Sequence, residues 1–144
     1  MGRAIGGAVL GYIVMFVIVF CGLTLAWMLL GADGAFQPGG FDVSMTWIAV
    51  SIVVAIIAAL AGGKVARLVA KAPLGPQVLA GLVIIVGIVS MIPAMTMEPT
   101  VATRAGDMPM MEAIAQARTP MWMMILNPII GAIGALIGGS ALKR

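Results

Sequence analysis

Five side chains carry hydrogen-bonding or thiol groups into stretches that are otherwise almost wholly apolar: Cys21, Thr24, Ser51, Ser90 and Asn127. Two prolines sit beside them, Pro93 just after Ser90 and Pro128 directly after Asn127. A proline inside a helix has no N–H to give the ladder, and its ring crowds the carbonyl one turn back, here that of Met124. The Asn127 amide is therefore placed to satisfy freed backbone groups, or to bond a neighbouring helix for about 0.6–2 kcal/mol. Two uses follow. Interrupted helices meeting at one depth would present carbonyls, hydroxyls and an amide to a neutral solute or an ion. Alternatively, Asn127, Pro128, Ser51, Ser90 and Pro93 are kinks and polar contacts that shape one helix to fit another. The second use is the expected one, because Pro and Gly are common in membrane helices.

Methionine offers a different chemistry. Thirteen are present, nine of them between Met91 and Met124. Met108, Met110 and Met111 repeat the spacing of Met121, Met123 and Met124, with Met95 and Met97 nearby. Thioethers are soft ligands that suit Cu(I). With no histidine in the chain, these residues are expected to fill uneven packing surfaces, and Cu(I) binding at an outer face is the weaker alternative. No cofactor is expected. Nothing else is arranged for catalysis: there is no Ser/His/Asp grouping, no pair of carboxylates at depth and no phosphate-binding glycine loop. The single cysteine excludes an intrachain disulfide. The chain is expected not to be an enzyme.

The segments that carry these residues define the fold class. Of 144 residues, 62% are hydrophobic and 9% charged, and the mean hydropathy is +1.19; a soluble domain is nearer 45–50% apolar and about 25% charged. No Asp, Glu, Lys or Arg occurs over residues 4–32, 43–63, 72–97 and 119–142. Each window exceeds the ~20 residues needed to cross about 30 Å of hydrocarbon. The sequence therefore predicts an all-α integral membrane protein, a single domain over residues 1–144. Its four transmembrane helices fall at about 4–31, 44–69, 74–97 and 119–141. The first is long enough to require tilt or a projecting end, and too long for the h-region of a cleaved signal peptide, so a retained signal anchor is expected.

Six of the eight basic residues (Arg3, Lys64, Arg67, Lys71, Lys143 and Arg144) fall on one side of such a bundle. The positive-inside rule then places both termini in the cytoplasm. Trp27, Trp47 and Trp122 fall near the opposite interface, where indole rings favour the headgroup level. Scarce lysine beside abundant Ala, Gly and Val fits a bacterial inner membrane. The net charge of +3 is a topology signal, and no nucleic-acid partner is expected.

A shift of 76 residues sets SIVVAIIAALAGGKVAR (51–67) over NPIIGAIGALIGGSALK (127–143). The halves 1–72 and 73–144 thus read as two tandem helical hairpins, with Ser51 opposite Asn127. Between the third and fourth spans, Asp107 and Pro109 read as a helix start. Met111, Ile114, Ala115 and Arg118 give it an amphipathic spacing, predicting a short helix on the outer surface that runs on near Thr119-Pro120 into the fourth span. Small residues recur at four-residue intervals: Gly7 and Gly11; Ala55, Ala59 and Gly63; Gly131 and Ala135; Gly134 and Gly138. Such stripes admit close helix approach in lipid, within the bundle or toward a homo-oligomer or larger complex.

The size and four-span layout are similar to those of small multidrug-resistance exporters, but the first span lacks the glutamate on which their coupling depends. The expected role is that of a small packing, scaffold or accessory subunit acting through helix contacts. An oligomeric transporter or channel for a neutral or small solute, with a polar pocket near Asn127, Ser51 and Ser90, is the alternative.

Overall fold

The structure, a computed structural model, describes residues 1–96, 103–104, 106 and 108–141. Five helices follow in order: α1 (Gly2–Ala35), α2 (Met45–Ala70), α3 (Leu74–Thr96), α4 (Met110–Gln116) and α5 (Met121–Ser140). All but α4 are long and apolar enough to span a membrane. Residues 2–30 of α1 form a straight run of about 43 Å at 1.5 Å per residue, longer than a hydrocarbon core. It stops at Gly31, whose φ of 62° with ψ of −173° is open to glycine and costly for residues with a Cβ.

One end of the bundle carries the long connections. There Ser44 caps α2, its hydroxyl oxygen accepting from the Trp47 N–H at 3.0 Å and donating to the Gly34 carbonyl at 2.5 Å. The same residue thus starts one helix and fixes the end of the previous one. Phe36 and Val43 pair antiparallel around a Pro38-Gly39 turn, and Asp42 pairs with Arg118. The Arg118 N–H donates to the Phe41 carbonyl at 2.8 Å, and its own carbonyl accepts from Val43 N–H at 3.2 Å. Edge-to-face contacts of Trp27 with Phe36 and Trp47, and of Phe36 with Phe41, fill the space beneath. Arg104 pairs with Asp33 at 2.6 Å, but the Asp33 side chain is 88% exposed, so solvent screens most of that attraction.

The connection before α5 differs from the sequence expectation in two ways. Asp107, expected to cap α4, lies outside the described residues, as do Met97, Glu98, Lys143 and Arg144; α4 begins at Met110 with Pro109 in the cap position. Nor does α4 run on into α5. Ala117 is extended at ψ 130°, where the Arg118 main chain bonds the 36–43 turn instead, and Pro120 disfavours helix at Thr119. Ala113 is fully buried, whereas Met111 and Ile114 are exposed.

The other end is closed by small residues. In α2, Gly62 faces α1, against Met15 and the Gly11 carbonyl, while Gly63 faces the Ala135 backbone of α5. In α5, Gly138 meets the Leu60 carbonyl of α2, and Gly139 meets Pro76 of α3. Consecutive helical positions point about 100° apart, so a double glycine lets two different neighbours close on one helix. Gly7 and Gly11 take the same part on α1, against Ala66 and Gly62. Leu79, Ala66, Ala8 and Ala135 complete this cluster. Each of α1 and α5 packs on both α2 and α3, and among the described residues no Cα atom of α1 lies within 8 Å of one of α5; the Met15 side chain of α1 reaches toward Gly131 of α5.

Candidate functional site

Away from the small-residue end the side chains grow. Met15, Phe16, Val19 and Leu23 succeed Gly7 and Gly11 along α1, and Trp47 and Ser51 precede Gly62 and Gly63 on α2. Larger residues hold helix axes further apart, and where the α1 and α5 backbones stand apart a cleft of about 430 Å³ opens between them, lined also by α2 and α3. It lies between two packed clusters. Met15 and Val83 belong to the small-residue cluster, while Trp47 and Met123 belong to the aromatic one. Phe16, 63% exposed, stands at the rim and stacks on Phe20.

Two of the five singled-out polar groups meet here. Ser51 and Asn127 both line the cleft. Each lies six residues into its helix, α2 from Met45 and α5 from Met121, about 9 Å along the axis. The Asn127 Oδ1 atom is buried and has no hydrogen-bond partner. Such an atom forfeits its hydration, at a cost of about 1–3 kcal/mol, and no group among the described residues offsets it. Pro128 beside it also lines the cleft and seats its ring where Gly87 of α3 has no side chain. Gly131 faces Val83, and with Ala55 it gives the cleft its floor.

The other candidates lie elsewhere. Ser90 is exposed on α3 and donates its hydroxyl to the Val86 carbonyl at 2.7 Å. Pro93 falls within the last turn of α3, outside the cleft. Cys21 is exposed. The Thr24 hydroxyl is buried without a partner but does not line the cleft. Gly134 meets Ala59, so these two residues of the stripes are engaged between α2 and α5. The methionines separate: Met123 is buried and Met108 packs against the same aromatic cluster. Met111 and Met121 are exposed, Met110 and Met124 intermediate. Among the described residues no three His, Cys, Asp or Glu side chains converge on a metal-sized site.

Tyr12 and Thr119 line the cleft as well and had not stood out in the sequence. Tyr12 is the only tyrosine in the chain, and a lone phenol within an apolar span is a signal in itself. In the sequence Thr119 is only the first residue of the fourth span, where a hydroxyl at the interface is ordinary. Among the described residues no aspartate, glutamate, lysine or arginine lines the cleft. Its chemistry is that of an apolar slot with a phenol, hydroxyls and an amide. Neither a protein-family model, nor a curated protein, nor a solved structure matches the chain.

Proposed function

We propose that this chain is a small multi-pass protein of a bacterial inner membrane, with both termini cytoplasmic, built as two tandem hairpins with α4 on the outer surface. It works without catalysis, as an accessory subunit held to a partner or to further copies of itself by helix contacts. The observation that carries this reading is the exposure of α1, whose most apolar window is only 6% buried. The stripes of Gly7, Gly11, Gly63, Gly134 and Gly138 are engaged inside the bundle, so external contacts fall to the outward face of α1. On that face Gly6 has open space around it, flanked by Leu10, Ile13 and Val17. Purification in mild detergent is expected to retain a stoichiometric partner or an oligomer. Gly6→Ile is expected to release it at least tenfold while leaving the unfolding midpoint of the single chain unchanged. A lone monomer in every mild detergent overturns the reading.

The convergence of Ser51 and Asn127 favours a second reading, in which the cleft receives a neutral solute on its way across the membrane. In proteoliposomes the combined Ser51→Ala and Asn127→Ala variant is then expected to lose at least nine-tenths of the flux of that solute. Flux that survives both substitutions removes the cleft from the pathway.

A further inference from the structure

We propose that the cleft between α1 and α5 is a binding site for a neutral, hydroxyl-bearing amphiphile with a single hydrocarbon tail. The proposal rests on the cleft reading above and is independent of the accessory role.

Four observations define the ligand. The volume of about 430 Å³ lies within the roughly 300–1,000 Å³ of small-molecule sites, so one compact head and the start of a chain fit. Among the described residues no Asp, Glu, Lys or Arg side chain lines it, and burying an unpaired charge there would cost several kcal/mol; this disfavours carboxylates, phosphates and ammonium groups as the head. The buried Asn127 Oδ1 has no donor. Ser51, at the same depth on the facing helix, adds a group that both donates and accepts. A hydroxyl head matches this pair, since it both donates and accepts, as do the Asn127 amide and the Ser51 hydroxyl that line the cleft.

The shape of the site explains the tail. Below the polar pair the walls are Met15, Val83 and Gly131, all apolar. The rim at Phe16 is exposed on the side of the bundle rather than at its end. A chain too long for the slot therefore leaves sideways past Phe16 into surrounding hydrocarbon, where its remaining methylenes lose nothing. A wholly soluble polar solute gains from the head contacts but leaves the apolar walls unfilled. An alkane fills the walls but leaves Asn127 unpartnered. Only the combination satisfies both.

The test uses the full-length protein in phosphatidylcholine vesicles with a diazirine-bearing hexadecanol as the probe. Photolabelling followed by peptide mass spectrometry is expected to concentrate on residues 12–23 and 119–131. Unlabelled hexadecanol should compete at least tenfold better than hexadecane or a hexadecyl trimethylammonium salt. The Ser51→Ala, Asn127→Ala variant enlarges the slot rather than filling it, so its expected tenfold loss of labelling reports the lost head contacts and not a blocked site. Asn127→Leu provides the check on folding. It removes a buried unpaired oxygen and is expected to keep or raise the unfolding midpoint while still losing the label. Equal competition by hexadecane, or equal labelling of the exposed Ile85 and Ile133 faces, overturns the proposal. Specific labelling without solute flux would retain the site and remove only its transport role.

Discussion

Gly63→Ala is expected to destabilise the protein by about 3 kcal/mol, at the upper end of what an overpacked methyl costs. An added Cβ at Gly63 falls on the Ala135 carbonyl of α5, and backbone cannot rotate away as the end of a flexible side chain can. Relief requires α2 and α5 to separate along the crossing that also holds Ala59 against Gly134 and Leu60 against Gly138. In lipid no hydrophobic effect drives helices together, so loss of close contact is not offset by burying other apolar surface. The control is Gly81→Ala, at an exposed helical position where the new methyl meets nothing. It is expected to be neutral or stabilising by up to about 1 kcal/mol, through helix propensity alone. Thermal unfolding of both variants in one detergent decides the matter. At a few degrees per kcal/mol, the two midpoints should differ by roughly 10 °C, and equal midpoints would contradict the close approach of α2 and α5.

Trp47→Ala is expected to cost about 3 kcal/mol, as removal of a large aromatic from a packed cluster does. Its ring lies edge-on to Trp27, with centroids 6.1 Å apart, and packs against the cluster of Phe36, Ile48, Ala113 and Met123. The same ring forms the wall of the cleft at its loop-rich end. The loss should therefore appear twice: as a lower unfolding midpoint, and as weaker photolabelling of residues 119–131 by the diazirine-bearing hexadecanol. Trp122→Ala supplies the comparison. Trp122 is 50% exposed and takes no part in that cluster among the described residues, so its removal should leave both readouts nearly unchanged. Comparable losses in the two variants would mean that the aromatic cluster is not what closes this end of the cleft.

The helices themselves were legible in the sequence because their cause is local. Four charge-free windows are properties of short segments, and α1, α2, α3 and α5 begin and end within a few residues of the spans read from them, about 4–31, 44–69, 74–97 and 119–141. The glycine spacing marked which faces approach closely for a similarly local reason, since no other residue permits backbone contact. The spacing could not say which neighbour each face meets. The echo of residues 51–67 in 127–143 aligns Gly62 with Gly138 and Gly63 with Gly139. Yet Gly62 faces the helix just before it in the chain and Gly138 does not, while Gly63 and Gly139 exchange roles in the opposite sense. A shared pattern here records a shared need for small residues, met by different partners.

The candidate site divides along the same line. Residue type alone identified Asn127, Pro128 and Ser51, because a polar group or a helix breaker in an apolar span is visible in one dimension. Ser90 was indistinguishable from Ser51 on that criterion, and only the rotation of α3 about its axis turns one outward and leaves the other in the cleft. The end of α4 was misread because a main-chain bond from Arg118 to Phe41, far apart in the chain, outweighs the helical preference of the residues between α4 and α5. By itself, then, the sequence determined the solvent this chain is built for, the number and length of its helices and the small-residue faces, all of them sums over neighbouring residues. The tertiary structure alone decided that the α1 and α5 backbones stay apart, that a cleft results, and that Asn127 lines it with its Oδ1 buried and unpartnered, because each of these depends on which helix fills the space beside another.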